Sequence, residues 1–177
     1  MVDGGEEFSQ VYDEYSDRIF SYIFLLVNNR ATAEDLTQES FIKAYQNFNQ
    51  FNEESQLYTW LVKIARNTAI DYIRKKSKYR FLPFDLKNLY SEQQSPDEIL
   101  LKGEKITILY EAINRLKMDY REVIVLRKIK EFSIKESAEI LNWKEDKVRI
   151  TTLRAIKALK KELKKRGEGF EEVLSNG

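Results

Sequence analysis

Neither cysteine nor histidine occurs among the 177 residues. The first absence excludes disulfides, thiolate catalysis and cysteine-based zinc sites. The second removes the commonest general base and the commonest metal ligand. Carboxylate catalysis is left open in principle, but no metal and no cofactor is expected. No apolar run is long enough to span a bilayer: the stretch from Ile19 to Val27 is short and holds Ser21 and Tyr22. The N-terminus is acidic and lacks the pattern of a secretory signal. A cytoplasmic protein is the simplest expectation.

What the chain does have is charge, and the signs are separated. Hydrophobic residues make up 42% and charged residues 33%, with a formal net charge of only +1. That composition suits a soluble helical protein of one or two small domains. Residues 1–17 carry six acids and no base. From Lys63 to Arg80 there are seven bases against Asp71 alone, a net +6. From Lys144 to Arg166 ten bases face three acids, a net +7. Such separation points to different partners on different faces.

The clearest local pattern runs from Ser133 to Arg166. Ser133-Ile134-Lys135-Glu136 has the form of a capping box. Asn142 to Glu145 interrupts the helical pattern, and Val148, Thr152, Ala155, Leu159 and Leu163 then recur on one face of a second helix. Two short helices, a tight connection and a positive second helix describe a helix-turn-helix, which lays one helix in the DNA major groove. A solvated helical hairpin is the blander reading of the same residues. With that apolar face inward, Arg149, Ile150, Leu153, Arg154 and Lys157 point outward.

Upstream, Phe8, Tyr12, Tyr15, Ile19, Ile23 and Leu26 form a core stripe on a helix from Glu6 to Val27. Thr32 is placed to cap a second helix, with Leu36, Phe41, Ile42 and Tyr45 packing inward. Asp35, Gln38 and Glu39 share one face of it. As a platform of carboxylates and an amide they suit an ordinary wet surface, a catalytic carboxylate pair or a docking surface. Asn47 to Gln56 reads as a polar loop bearing Phe48 and Phe51, with Ser55 as a cap for a third helix. That helix buries Leu57, Trp60, Leu61, Ile64, Thr68 and Ile73. Its basic side, next to an aromatic-bearing loop, suits strand-separated DNA: phosphates meet Lys and Arg, and unstacked bases find aromatic faces. Trp60 is expected in the core beneath the loop, whereas Phe51 and Tyr58 suit either role. Tyr79 to Gln94 loses helical periodicity and reads as a tether. Ser95-Pro96-Asp97-Glu98 opens a further helix lined by Ile99, Ile106, Tyr110, Ile113 and Leu116, and another starts at Asp119 to Glu122. After Gly167 the tail turns acidic and is expected to fray.

Ala33-Glu34-Asp35-Leu36-Thr37-Gln38-Glu39-Ser40-Phe41 resembles the core-binding segment of bacterial sigma factors of the sigma-70 family. Tyr58-Thr59-Trp60-Leu61, Ile64-Ala65-Arg66-Asn67 and Ala69 to Arg74 come after it at the family's distance. They resemble the promoter-melting and −10-reading segments of its extracytoplasmic-function (ECF) subgroup. The helix-turn-helix is similar to that subgroup's −35-reading domain. The resemblance covers about residues 6–80 and 104–165, in the family's order. It implies an all-α chain of two small helical domains: residues 1–80 for core polymerase and the −10 element, 81–95 as a flexible linker, and 96–177 for the −35 element.

The resemblance also implies roles. Asp35, Gln38 and Glu39 would dock on the coiled coil of the largest catalytic RNA polymerase subunit, which decides among the three readings of that platform. Phe51, Tyr58, Lys63, Arg66, Asn67 and Arg74 would meet the −10 element, where the loop holds a flipped base. Lys147, Arg149, Ile150, Leu153, Arg154 and Lys157 would meet the −35 element. The implied partners are core RNA polymerase, promoter DNA and an anti-sigma factor, often membrane-anchored; no small-molecule substrate or catalytic residue is implied. Ile150, Thr151 and Ile156 depart from the subgroup's usual serine, arginine and basic residue, which leaves the −35 sequence open. The alternatives are a helix-turn-helix regulator acting on duplex operators without polymerase, and a carboxylate hydrolase or metal-dependent nuclease.

Overall fold

The computed structural model of the chain describes residues 4–51, 56–79 and 104–165. All of their regular structure is helical: α1 (Gly4–Val27), α2 (Arg30–Asn47), α3 (Leu57–Tyr79), α4 (Glu104–Arg115), α5 (Met118–Ile124), α6 (Ile134–Leu141) and α7 (Glu145–Lys164). A 3₁₀ turn at Phe48–Gln50 comes after α2, and a π-helical turn at Val125–Ile129 continues α5. The chain divides into two compact units, Met1–Gln94 and Ser95–Gly177. The expected tether and the helix start at Ser95 to Glu98 lie outside the described residues, as do Ser55 and the acidic tail.

In the first unit α1, α2 and α3 pack on one another. Adjacent asparagines separate the first two helices. Asn28 takes the left-handed conformation (φ 51°) and its N–H donates to the Phe24 carbonyl, ending α1. That geometry suits asparagine better than any branched residue. Asn29 then caps α2, its Oδ1 accepting from the Thr32 N–H at 2.8 Å. The cap is thus Asn29 and not the expected Thr32, because the chain turns earlier.

The core of this unit is centred on Ile19, Tyr22, Ile23 and Leu26, all at most 1% exposed. Full burial of such a side chain contributes about 1.5–3 kcal/mol. Two inward assignments on α2 are corrected: Ile42 and Tyr45 are 59% and 56% exposed. Tyr12 of α1 also reaches solvent, its ring edge-on to Phe41 at 4.8 Å. The buried face of α2 is instead Ala33, Leu36, Thr37, Ser40, Phe41 and Ala44. Thr37 and Ser40 donate their hydroxyls to the Ala33 and Leu36 carbonyls of their own helix, so they enter the core satisfied. The inward face of α3 is corrected in the same sense. Thr59, Val62, Ala65, Ala69 and Ile70 are buried with the expected Leu61 and Thr68, whereas Leu57, Trp60, Ile64 and Ile73 are only half-buried. Small residues let helix axes approach closely, and the larger side chains then sit at the seam's edge.

In the second unit α7 packs on α4, α5 and α6. Ile113, Ile124, Leu126, Ile140, Leu141 and Leu163 are its largest fully buried apolar side chains. Arg121 donates to the Asn114 carbonyl and Arg127 to the Phe132 carbonyl, tying the segments around the π turn together. Glu131 adopts φ 57° where that turn ends. The Ser133 capping box forms as expected: Ser133 N–H donates to Glu136 at 2.8 Å, and Glu136 N–H donates to Ser133 Oγ at 3.1 Å. Asn142 (φ 54°) closes α6, and the Trp143 N–H returns to the Ala138 carbonyl at 2.9 Å. This left-handed cap sets the tight connection into α7.

Candidate functional site

Three surfaces carry the residues singled out in the sequence. On α2, Asp35, Gln38 and Glu39 are all exposed on one face. Ile42, one turn on, extends that face with an apolar group. Glu39 is paired with Lys43 Nζ at 2.6 Å. Lys43 also donates to Thr68 Oγ1 of α3 at 3.2 Å, so one ammonium bridges the two helices.

Beside this bridge lies an open cleft of about 390 Å³. Lys43, Asn47 and Gln50 line one side, and Trp60, Ile64, Asn67, Thr68 and Asp71 line the α3 side. Trp60 sits over its end, with the Phe51 ring at 5.3 Å and the Phe48 ring at 6.5 Å. The half-buried tryptophan is therefore both packing and wall, not the core residue expected. Lys63, Asn67 and Arg74 recur at helical spacings of four and seven and share a stripe of α3 with neighbouring Arg66. Arg66 Nη1 lies 3.4 Å from Asn67 Oδ1.

Tyr58 is placed apart from that stripe. Nine residues before Asn67, it points about 180° away around the helix. Its ring stacks on Tyr15 at 5.7 Å, and the Arg18 guanidinium lies 3.7 Å from its centre. Burial raises the Tyr58 phenol above its ordinary value of 10.0, and Arg18 partly opposes the shift. Lys43, Asn47, Gln50 and Asp71 were not singled out from the sequence. The signal was present as four-residue spacings, Glu39 to Lys43 and Asn67 to Asp71, each joining a new residue to one already chosen.

On α7, Val148, Ala155 and Leu159 are buried, while Lys147, Arg149, Ile150, Leu153, Arg154 and Lys157 are exposed. Arg149 is held by two acids of its own helix, Asp146 at 2.8 Å and Glu145 at 3.0 Å. Lys147 lies 3.7 Å from the centre of the Trp143 ring. No helix among the described residues is long and apolar enough to cross a membrane.

A helical unit with an acidic-amide face and a polar cleft beside a basic helix, and a helix-turn-helix whose second helix is basic outside, have clear counterparts among known proteins. Residues 11–79 match the model of sigma-70 region 2, and residues 106–159 that of sigma-70 region 4. The ECF RNA polymerase sigma factor SigX of Bacillus subtilis is 34% identical over 163 residues, covering 89% of this chain and 84% of the relative. SigW of the same organism is 33% identical over 168 residues, covering 90% of each. Among solved structures, the sigma factor RpoE of Bartonella quintana in complex with the anti-sigma factor NepR is similar in fold, with TM-score 0.71 at 23% identity, covering 90% of this chain and 98% of that one. CnrH in complex with the cytosolic domain of CnrY gives TM-score 0.68 at 21% identity, covering 90% and 89%. With both regions matched in order and relatives above 30% identity along most of their length, the chain belongs to the sigma-70 family of RNA polymerase sigma factors, in its extracytoplasmic-function subgroup.

Proposed function

We propose that this chain docks on core RNA polymerase through α2, captures the −10 element on α3, and reads the −35 element with α7. Residues 1–80 would form the first functional domain, 81–95 the tether, and 96–177 the second. Asp35, Gln38 and Glu39 make the polymerase contact. Lys63, Arg66, Asn67 and Arg74 hold the −10 strand, with Phe51 at the edge of the cleft that receives an unstacked base. Tyr58 supports α3 from its opposite side. Lys147, Arg149, Ile150, Leu153, Arg154 and Lys157 form the −35 face. The protein catalyses no reaction; it opens the promoter by binding the separated strand more tightly than the duplex. It works in the cytoplasm, where its polymerase is, and a cognate anti-sigma factor, by analogy with the RpoE and CnrH complexes, masks it.

The observation that supports this reading best is the first unit itself. Its α2 face of exposed carboxylates and amide stands beside a polar cleft lined by Trp60, Asn67 and Lys43, and the α3 wall of that cleft belongs to the helix that carries Lys63, Arg66 and Arg74. A duplex-operator regulator has no use for either surface. The test is transcription in vitro with purified core polymerase on a randomised promoter library, read by sequencing. The chain should direct initiation to a defined class of promoters, and Gln38→Ala with Glu39→Lys should abolish both that selectivity and co-purification with core. Selective initiation that survives the double substitution would defeat the docking assignment.

A further inference from the structure

Two of the five large hydrophobic side chains exposed among the described residues lie on α7: Ile150 at 49% and Leu153 at 65%. They are not surplus core, because the opposite face of the helix is already filled by buried Val148, Ala155 and Leu159. Three residues apart, they share one stripe that Arg154 and Lys157 continue at helical spacing. An apolar pair bordered by cations is poorly matched to an oily protein surface. It matches a surface that is anionic at its borders and apolar at a point. The DNA major groove is such a surface: phosphates line it, and the C5-methyl of thymine is the apolar group displayed on its floor. Arg149, the cation nearest Ile150 in sequence, is already engaged by Glu145 and Asp146.

Resting on the placement of α7 at the −35 element, we infer that Ile150 and Leu153 determine specificity by covering thymine methyl groups. Base choice on this stretch of helix then comes from A·T pairs, and the flanking Arg154 and Lys157 hold phosphates. Uracil, which pairs as thymine does but lacks the methyl, separates this readout from every hydrogen-bonded one.

The experiment uses the complete chain with core polymerase on a preferred promoter from the library, with each −35 thymine on either strand replaced singly by deoxyuridine. Binding of the wild-type holoenzyme should fall about four-fold at one or two positions, the worth of one buried methyl group. Ile150→Ser should erase the loss at one such position and Leu153→Ser at the other or the same, while Ile150→Val retains it. Both side chains are exposed, so the serine variants should keep the wild-type helix signal in circular dichroism. Wild-type indifference to deoxyuridine at every −35 position overturns the inference, as does an undiminished gap in both serine variants. A holoenzyme that shows no −35 preference at all overturns instead the placement of α7, so the two failures are distinguishable.

Discussion

Arg149 does two things that conflict. It is exposed on the helix proposed to read DNA, yet its guanidinium is occupied by Glu145 and Asp146 within the first turn. Exposed pairs of this kind are worth little to stability, so their effect falls on binding. Glu145→Gln with Asp146→Asn should raise affinity for any DNA duplex several-fold while changing thermal stability by less than about 0.5 kcal/mol. Filter binding at fixed salt checks the first, and denaturant melts check the second. Ser137 is a different case. It is fully buried on α6, and its Oγ has no hydrogen-bond partner among the described residues. Ser137→Ala should stabilise the second unit by about 1 kcal/mol, since an unsatisfied buried hydroxyl costs on that order; an unchanged or lower denaturation midpoint would contradict it. At this scale the sequence was informative where spacing chose the residue. Asp35, Gln38 and Glu39 had to share a face whatever they packed against. Spacing could have paired Lys43 with Glu39, but not with Thr68, twenty-five residues away on another helix.

Every helix of the first unit was readable in the sequence, but the inward face was readable only where the local signal was loud. The Ser133 capping box and the break at Asn142 depend only on neighbours in sequence, and both form as spelled. Ser133→Ala should cost about 1 kcal/mol, measured as a lower midpoint for the second unit. By contrast, the packing faces of α2 and α3 are made largely from alanine, threonine and serine. A reading that ranks positions by hydrophobicity sends Ile42 and Tyr45 inward, and the structure leaves them outside because small residues set the seam. The α1–α3 seam also carries a pH signature. Burial raises the Tyr58 phenol, so the folded state favours the neutral form. That contribution is complete below the unfolded phenol's value near 10 and is lost as pH rises through the folded value. The first unit should therefore lose stability above pH 10, and Tyr58→Phe should flatten that fall in melts taken from pH 8 to 11.

At the scale of the whole chain, the near-zero net charge hides segments of opposite sign. DNA binding should accordingly be salt-sensitive out of proportion to the protein's isoelectric point. Replacing Lys157 with Ala should reduce the slope of log affinity against log salt by about one. Two compact units should also melt separately, with Ser133→Ala lowering one calorimetric transition and leaving the other in place. The order of the units was legible from motif order, because each motif folds with its own neighbours. The walls of the cleft were not, because they come from two helices brought together by the core. Within the first unit, Lys43 holds Glu39 at 2.6 Å and Thr68 at 3.2 Å. On the roles proposed above, any lineage that replaces Glu39 to suit an altered polymerase also releases a cationic side chain that lines the proposed promoter cleft. Under that proposal, fitness for the enzyme and taste in promoters are inherited as a linked pair, and a change of one drags the other along.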